Sequence, residues 1–178
     1  YPQIKPGDVA NDKIIIIEDT DNDGVADKST IFADGLYLPT GIELANGGCY
    51  VAQSPDVLFL KDTDGDDVAD VKQLALTGFG IEDNHHSISA WRRGPGGWIY
   101  FQEGIFLHSQ VETQHGVVRN FNGGVYQFNP RTQELRMFCK GTGGNPWGHV
   151  FDHWGQSFMV NNPRIMYLTP GTGASNEP

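Results

Sequence analysis

Cysteine, methionine, basic residues and long apolar stretches are all scarce in this 178-residue chain. The longest purely aliphatic run is Ile14-Ile15-Ile16-Ile17, far short of the roughly 20 residues that a bilayer-spanning helix needs, so no membrane-spanning segment is expected. The two cysteines, Cys49 and Cys139, form neither a Cys-x-x-Cys pair nor a haem-attachment Cys-x-x-Cys-His, and are expected as small hydrophobes rather than a disulfide. Lys and Arg number 12 against 22 Asp and Glu, with no basic stripe to follow a phosphate backbone, which argues against nucleic acid as a partner. No window sustains a helical period. What remains, 38% hydrophobic and 19% charged, is the composition of an ordinary globular chain with one sizeable core.

The acids are not spread evenly. Nine of the 22 lie in two short segments: Asp19, Asp21, Asp23 and Asp27, then Asp62, Asp64, Asp66, Asp67 and Asp70. Without them 13 acids face 12 Lys and Arg, so the formal charge of -10 is a local feature and the rest of the surface is close to neutral.

The segments belong to a repeat. Residues 13–35 align without gaps onto residues 56–78, and each copy reads as an apolar β-rich run, an Asp-rich loop, a second apolar run and a closing Gly. A third copy, from Val125 to Phe138, keeps the hairpin and replaces the acidic loop with the turn Asn129-Pro130-Arg131-Thr132. Between these lie tighter hairpins that turn at Gly48, Gly97 and Gly155. Two hairpins per period make a four-stranded unit of propeller-blade size. The expected fold is therefore all-β: about three four-stranded blades, around 13–55, 56–105 and 123–168, in a single partial β-propeller domain of a larger, six-bladed type. Such a piece needs the rest of the propeller or another chain to cover its edges.

The acidic loops carry the clearest chemistry. Asp19, Asp21, Asp23 and Asp27 stand at loop positions 1, 3, 5 and 9, with Gly24 at 6 for a sharp turn and the Val25 carbonyl at 7. Hard oxygen ligands at that spacing suit Ca²⁺, and carboxylates so crowded would repel one another without a cation. The second loop repeats the pattern with Asp62, Asp64, Asp66, Val68 and Asp70, but has Asp67 where the first has Gly24, which predicts a more strained site. A helical calcium hand would carry Glu where Thr30 stands; the strand flanks resemble the β-hairpin calcium loops of integrin-type propellers instead.

Further motifs carry a resemblance across most of the chain. The phrases Glu18-Asp19-Thr20-Asp21, Phe32-Ala33-Asp34-Gly35-Leu36, Leu38-Pro39-Thr40-Gly41, Asn84-His85-His86, Gly94-Pro95-Gly96-Gly97-Trp98 and Asn145-Pro146-Trp147-Gly148-His149 resemble the N-terminal propeller of the membrane-bound dehydrogenase family of planctomycetes and verrucomicrobia. That family is similar to the soluble quinoprotein glucose and sorbosone dehydrogenases, six-bladed propellers that hold pyrroloquinoline quinone over a central channel. The resemblance implies an extracytoplasmic, periplasmic or cell-surface sugar or alcohol dehydrogenase that passes electrons to a cytochrome, although this stretch has no haem motif. It implies His86 as the base that takes a hydroxyl proton, a task suited to a neutral imidazole. It also implies a cofactor role for Asn145 and Trp147, where the quinoproteins have Arg-Asn-Pro-Gln-Gly and this chain has Gly144-Asn145-Pro146-Trp147-Gly148. Arg119, with Arg92 and Arg93, is a candidate for holding an anionic substrate or cofactor. The alternative is a calcium-stabilised binding or scaffold propeller without catalysis.

Overall fold

The computed structural model describes residues 7–142, 144–161 and 164–168, with the side chains of 161, 164 and 166–168 left aside. Among these residues all regular structure is antiparallel β-sheet apart from two short 3-10 turns, Asn84–His86 and Pro95–Gly97. An all-β fold is what the strand-turn-strand pattern required.

Strands β1 (Asp12–Glu18) and β2 (Lys28–Leu36) form a two-stranded sheet. Next, β3 (Gly41–Ala45), β4 (Gly48–Gln53), β5 (Asp56–Lys61) and β6 (Val71–Thr77) form a four-stranded meander. A second four-stranded sheet runs β7 (Ser89–Arg93), β8 (Ile99–Glu103), β11 (Gly124–Asn129), β12 (Glu134–Lys140). The hairpin of β9 (His108–Thr113) and β10 (Gly116–Phe121) is inserted between β8 and β11 and pairs only with itself. Last come β13 (Pro146–Phe151), β14 (Ser157–Asn161) and β15 (Arg164–Leu168) in a three-stranded sheet.

The sheets group the hairpins in a different phase from the expected units. The frames 13–55 and 56–105 join β1–β2 to β3–β4 and β5–β6 to β7–β8; hydrogen bonding instead joins β3–β4 to β5–β6 and β7–β8 to β11–β12. A repeat read from sequence has an arbitrary starting phase, and only strand pairing sets it.

Strands buried on both faces hold the sheets together. In β4, Tyr50 and Ala52 face one cluster while Cys49 and Val51 face another, the period-2 alternation of a central strand. In β8, Ile99 and Phe101 face the first cluster, and Tyr100 faces a third with Val125 and Met159. Sheets β3–β6 and β7–β12 thus meet over an aromatic seam. Tyr50 of β4 meets Phe128 of β11 edge-on at 5.3 Å across it, and within the second sheet Trp91 stacks on Phe101 at 4.3 Å and 8°, and Phe101 on Tyr126 at 5.1 Å. Each such ring, fully buried, contributes about 2 kcal/mol from apolar burial alone. Gly41 is forced by this packing, since a Cβ there would lie 2.2 Å from the Trp91 ring. Both cysteines are free thiols, Cys49 buried and Cys139 half-buried.

Candidate functional site

Three regions gather chemistry-bearing side chains: the two acidic loops, a cleft beside His86, and a buried carboxyl at Glu103.

In the first loop one carboxylate oxygen from each of Asp19, Asp21 and Asp23 lies within 4.8 Å of the others, all three exposed. The loop is shaped by its own backbone: Asp19 accepts from the N–H of Asp23 at 3.2 Å and of Gly24 at 2.9 Å, and Asp23 accepts from Val25 at 2.8 Å. The Gly24 N–H leads in holding the Asp19 carboxyl below its ordinary range. In the second loop Asp62, Asp64 and Asp70 make the equivalent group. Asp62 is likewise held down, chiefly by the Gly65 N–H, whereas Asp64 is pushed up, chiefly by the nearby charge of Asp66.

The two loops use their ninth residues differently. Asp27 spends both oxygens on Thr20, taking the backbone N–H on Oδ1 at 3.1 Å and the hydroxyl on Oδ2 at 2.8 Å, so it clamps the loop and stands outside the carboxylate trio. Asp70 takes both Thr63 donors on Oδ2 alone, which leaves its other oxygen for a cation and places it in the trio. Asp66, expected as a ligand, stands outside it, its Oδ1 accepting from the Val68 N–H at 2.9 Å. Val25 and Val68 follow the left-handed residue of each loop with their side chains toward solvent. Either trio could hold a metal ion, since oxygens 2.3–2.6 Å from a single cation such as calcium lie no more than about 5 Å apart.

At the other candidate region, residues from distant parts of the chain meet. His86 closes the turn Asn84–His86 and is 4% exposed. Its Nε2 meets Asn145 Oδ1 just before β13 of the three-stranded sheet. Trp147 stands beside Asn145 in the wall of a cleft of about 440 Å³, with Leu38, Pro39, Thr40, Ser87 and Ser89. The His86 ring stacks on His85 at 4.9 Å and lies against Phe106 at 5.5 Å. Its Nδ1 is 3.2 Å from Asp83 Oδ2, an ionic approach short of hydrogen-bond alignment, and the other Asp83 oxygen caps His85 N–H at 2.9 Å. Arg119 does not join them: it lies on the inserted β10 hairpin, its Nε donating to Gln110 at 2.9 Å.

The sequence profile of a family described as "Domain of unknown function (DUF7133)" matches residues 1–173. The chain belongs to that family. No curated protein matches it. Among solved structures, a luciferin-regenerating enzyme is similar at 10% identity and a TM-score of 0.42, over 79% of this chain and 61% of that one.

The fit of a quinone to the cleft can be tested on its lining. Pyrroloquinoline quinone carries three carboxylates, and no Lys or Arg is among the described residues that line the cleft. The cleft residues therefore do not fit that cofactor, and no step is derived through it. The reason lies in topology: the cation expected to help, Arg119, sits on a hairpin that pairs with neither neighbouring sheet. A larger cleft of about 770 Å³ lies between β1–β2 and β3–β4, lined mostly by Ile14, Ile15, Phe32, Ile42 and Leu44. It is apolar surface beside the free edge of β1, away from the His86 chemistry.

The sequence reading missed Glu103. It is fully buried and accepts from Ser109 Oγ at 2.5 Å, Tyr126 OH at 2.8 Å and Asn120 Nδ2 at 3.3 Å. Burial pushes its carboxyl up, opposed by those three bonds, and burial likewise pushes the Tyr126 phenol up. No spacing marks this group, because its members come from β8, β9, β10 and β11. His149, on β13, is also buried, bonded through Nε2 to Ser157 Oγ at 2.6 Å and pushed down to about 4 by burial.

Proposed function

We propose that this domain is part of a calcium-stabilised β-propeller whose His86 cleft takes a neutral sugar or other alcohol. Support for the propeller comes from the order of the sheets: the leading strand β7 packs against both β3 and β13, as first strands do around a propeller axis. The half-sheet β1–β2 adds to it. By the repeat, β1 corresponds to β5, which pairs on its inner side with β4, while among the described residues β1 pairs only with β2. The rest of the propeller, or another chain, would supply the missing pair.

The observation that carries the ligand reading is a cleft walled by Asn145 and Trp147 and, from about 60 residues away, by His85, Ser87 and Ser89, with Trp147 70% exposed and the buried His86 behind the wall on Asn145. Indole faces stack on sugar rings, and hydroxyl and amide groups bind their hydroxyls. In an oxidising version His86 would accept the hydroxyl proton as hydride leaves the same carbon for an acceptor, with electrons passed on to a cytochrome. The second reading is a binding or scaffold module with no chemistry, favoured by the lack of cations in the cleft. Both readings place the domain outside the cytoplasm, where calcium reaches the 10⁻⁴–10⁻³ M range that weak extracellular loops require. Among the described residues no helix is long and apolar enough to cross a membrane.

The test is a titration with neutral sugars and polyols, read by tryptophan fluorescence, beside reduction of an artificial electron acceptor. Binding lost in Trp147→Ala, with acceptor reduction lost in His86→Ala, supports the oxidising version. Binding without turnover supports the second reading. Absence of any saturable quench removes the cleft from consideration.

A further inference from the structure

We infer that Asp83 is a positioning residue that fixes which nitrogen of His86 carries the proton. This rests on the proposed role of His86 but not on the identity of any ligand.

The ring itself has little freedom. It is held between His85 and Phe106. It also leans on Gly104, where a Cβ would lie 2.7 Å from the His86 Cβ, and the Gly104 N–H donates to the His86 carbonyl at 2.9 Å. Nδ1 is buried with no aligned hydrogen bond, and the group facing it is the Asp83 carboxylate at 3.2 Å. A buried lone pair this close to an anion is repelled, whereas an N–H there is attracted even off the hydrogen-bond axis. The proton therefore sits on Nδ1.

That choice fixes Nε2. In the neutral ring it becomes the acceptor, so Asn145 must turn its amide NH₂ toward it; the two ends of an amide have the same shape and either orientation fits. Nε2, buried behind the cleft wall with its lone pair on Asn145, is then the basic nitrogen of the ring, and it can take a proton from a ligand hydroxyl where that hydroxyl displaces the Asn145 amide. Asp83 is well placed to impose this, since it is itself anchored. One oxygen caps the His85 N–H, and the residue is the N-cap of the turn that carries both histidines. Titratable groups on the segments packed against the ring include His85, Glu82 and His108, the last two meeting each other at 3.1 Å, and Glu103, whose carboxyl is engaged by Ser109, Asn120 and Tyr126.

Asn is as good a cap as Asp, so Asp83→Asn keeps the turn. Its Oδ1 must stay on the His85 N–H, which puts an NH₂ donor against His86 Nδ1 and drives the proton to Nε2. The experiment is ¹⁵N NMR of the imidazole rings in the 178-residue protein, with His86→Gln to assign the His86 signals. The expected result is a protonated-type Nδ1 and unprotonated-type Nε2 resonance in the wild type, exchanged in Asp83→Asn, with unchanged thermal stability. The same tautomer in both proteins would overturn the inference and leave Asp83 a cap alone. The readout needs no ligand, so a failure of the sugar reading does not blur it.

Discussion

In the loops at 19–27 and 62–70 the carboxylates lie at the surface and bond mainly to backbone N–H groups of their own loop, whereas Glu103 lies in the interior and bonds to side chains from three other strands. The same functional group is thus used in two ways. At the surface, water and backbone donors keep several acids charged at close range, and that charge is what a cation would relieve. Inside, one acid is enclosed by donors and burial favours its neutral form. The loops are a feature added to a hairpin that closes without them, as the turn at 129–132 shows. Glu103 is part of what holds the β9–β10 hairpin to the second sheet.

The largest expected effect follows from removing the buried acid. Glu103→Ala leaves Ser109, Tyr126 and Asn120 facing a void and should cost about 3 kcal/mol, read as a fall in the urea midpoint. Removing a surface acid in the same way, Asp21→Ala, should change the calcium-free protein by less than about 0.5 kcal/mol. Equal losses would erase the contrast between the regions.

Next in size is the response to metal. At calcium 100-fold above the dissociation constant, a loop that binds only when folded gains about 2.7 kcal/mol. Chelation should reverse the rise in melting temperature, and a double Asp21→Asn, Asp23→Asn variant should lose the first loop's share of it. Glu103→Gln should leave it intact.

Acid should move the two regions in opposite directions, by smaller amounts. The Glu103 carboxyl is raised above its unfolded value of 4.5, so its contribution is fully present below that pH and is lost as pH climbs through the higher folded value. Asp19, Asp27 and Asp62 are lowered below 3.8, so theirs is present above that pH and is lost as pH falls through the folded values; being fully exposed, they contribute little. Glu103→Gln mimics the protonated acid, and its amide can pair with the otherwise unpartnered Asn120 Oδ1. Stability of that variant should therefore be flatter than wild type between about pH 4.5 and 7. A wild-type profile as flat as the variant's would mean that Glu103 stays charged.

The hairpins were readable in the sequence because strand alternation, turn glycines and the repeat are local signals, and so were the acidic loops, since every ligand lies within nine residues. Pairing was not local. Whether β5 joins β4 or β7 depends on which faces bury against which, and the reading took the wrong phase. His86, Asn145 and Trp147 were named from a motif resemblance, and only the fold puts Asn145 and Trp147 in one cleft with His86 bonded behind it. Arg119 was named on charge alone, and it bonds Gln110 within its own hairpin and is not among the residues that line that cleft. Glu103 offered no pattern, because one acid at the end of the run Ile99-Tyr100-Phe101-Gln102 gives no hint of donors that arrive from β9, β10 and β11.

The finest comparison is between the two loops. Both take a left-handed backbone at their fourth and sixth positions: Asn22 at φ 62° and Gly24 at φ 90° in the first, Gly65 at φ 87° and Asp67 at φ 66° in the second. Glycine has simply changed places. Gly24→Ala should cost about 1 kcal/mol, since a Cβ strains that conformation. Asp67→Gly runs the other way. It relieves strain at the sixth position, keeps the N–H that donates to Asp62 at 2.9 Å, and gives up a 3.8 Å approach to Lys28 between two half-exposed side chains that is worth little. Against this stands the greater freedom of glycine in the unfolded chain, so the net gain should be only about 0.5 kcal/mol. Asn22→Gly, the matched change at the fourth position of the first loop, should behave alike in a differential melting comparison without calcium. If Asp67→Gly instead destabilises while Asn22→Gly does not, the Asp67 side chain supports the second loop in a way that the first loop has no need of.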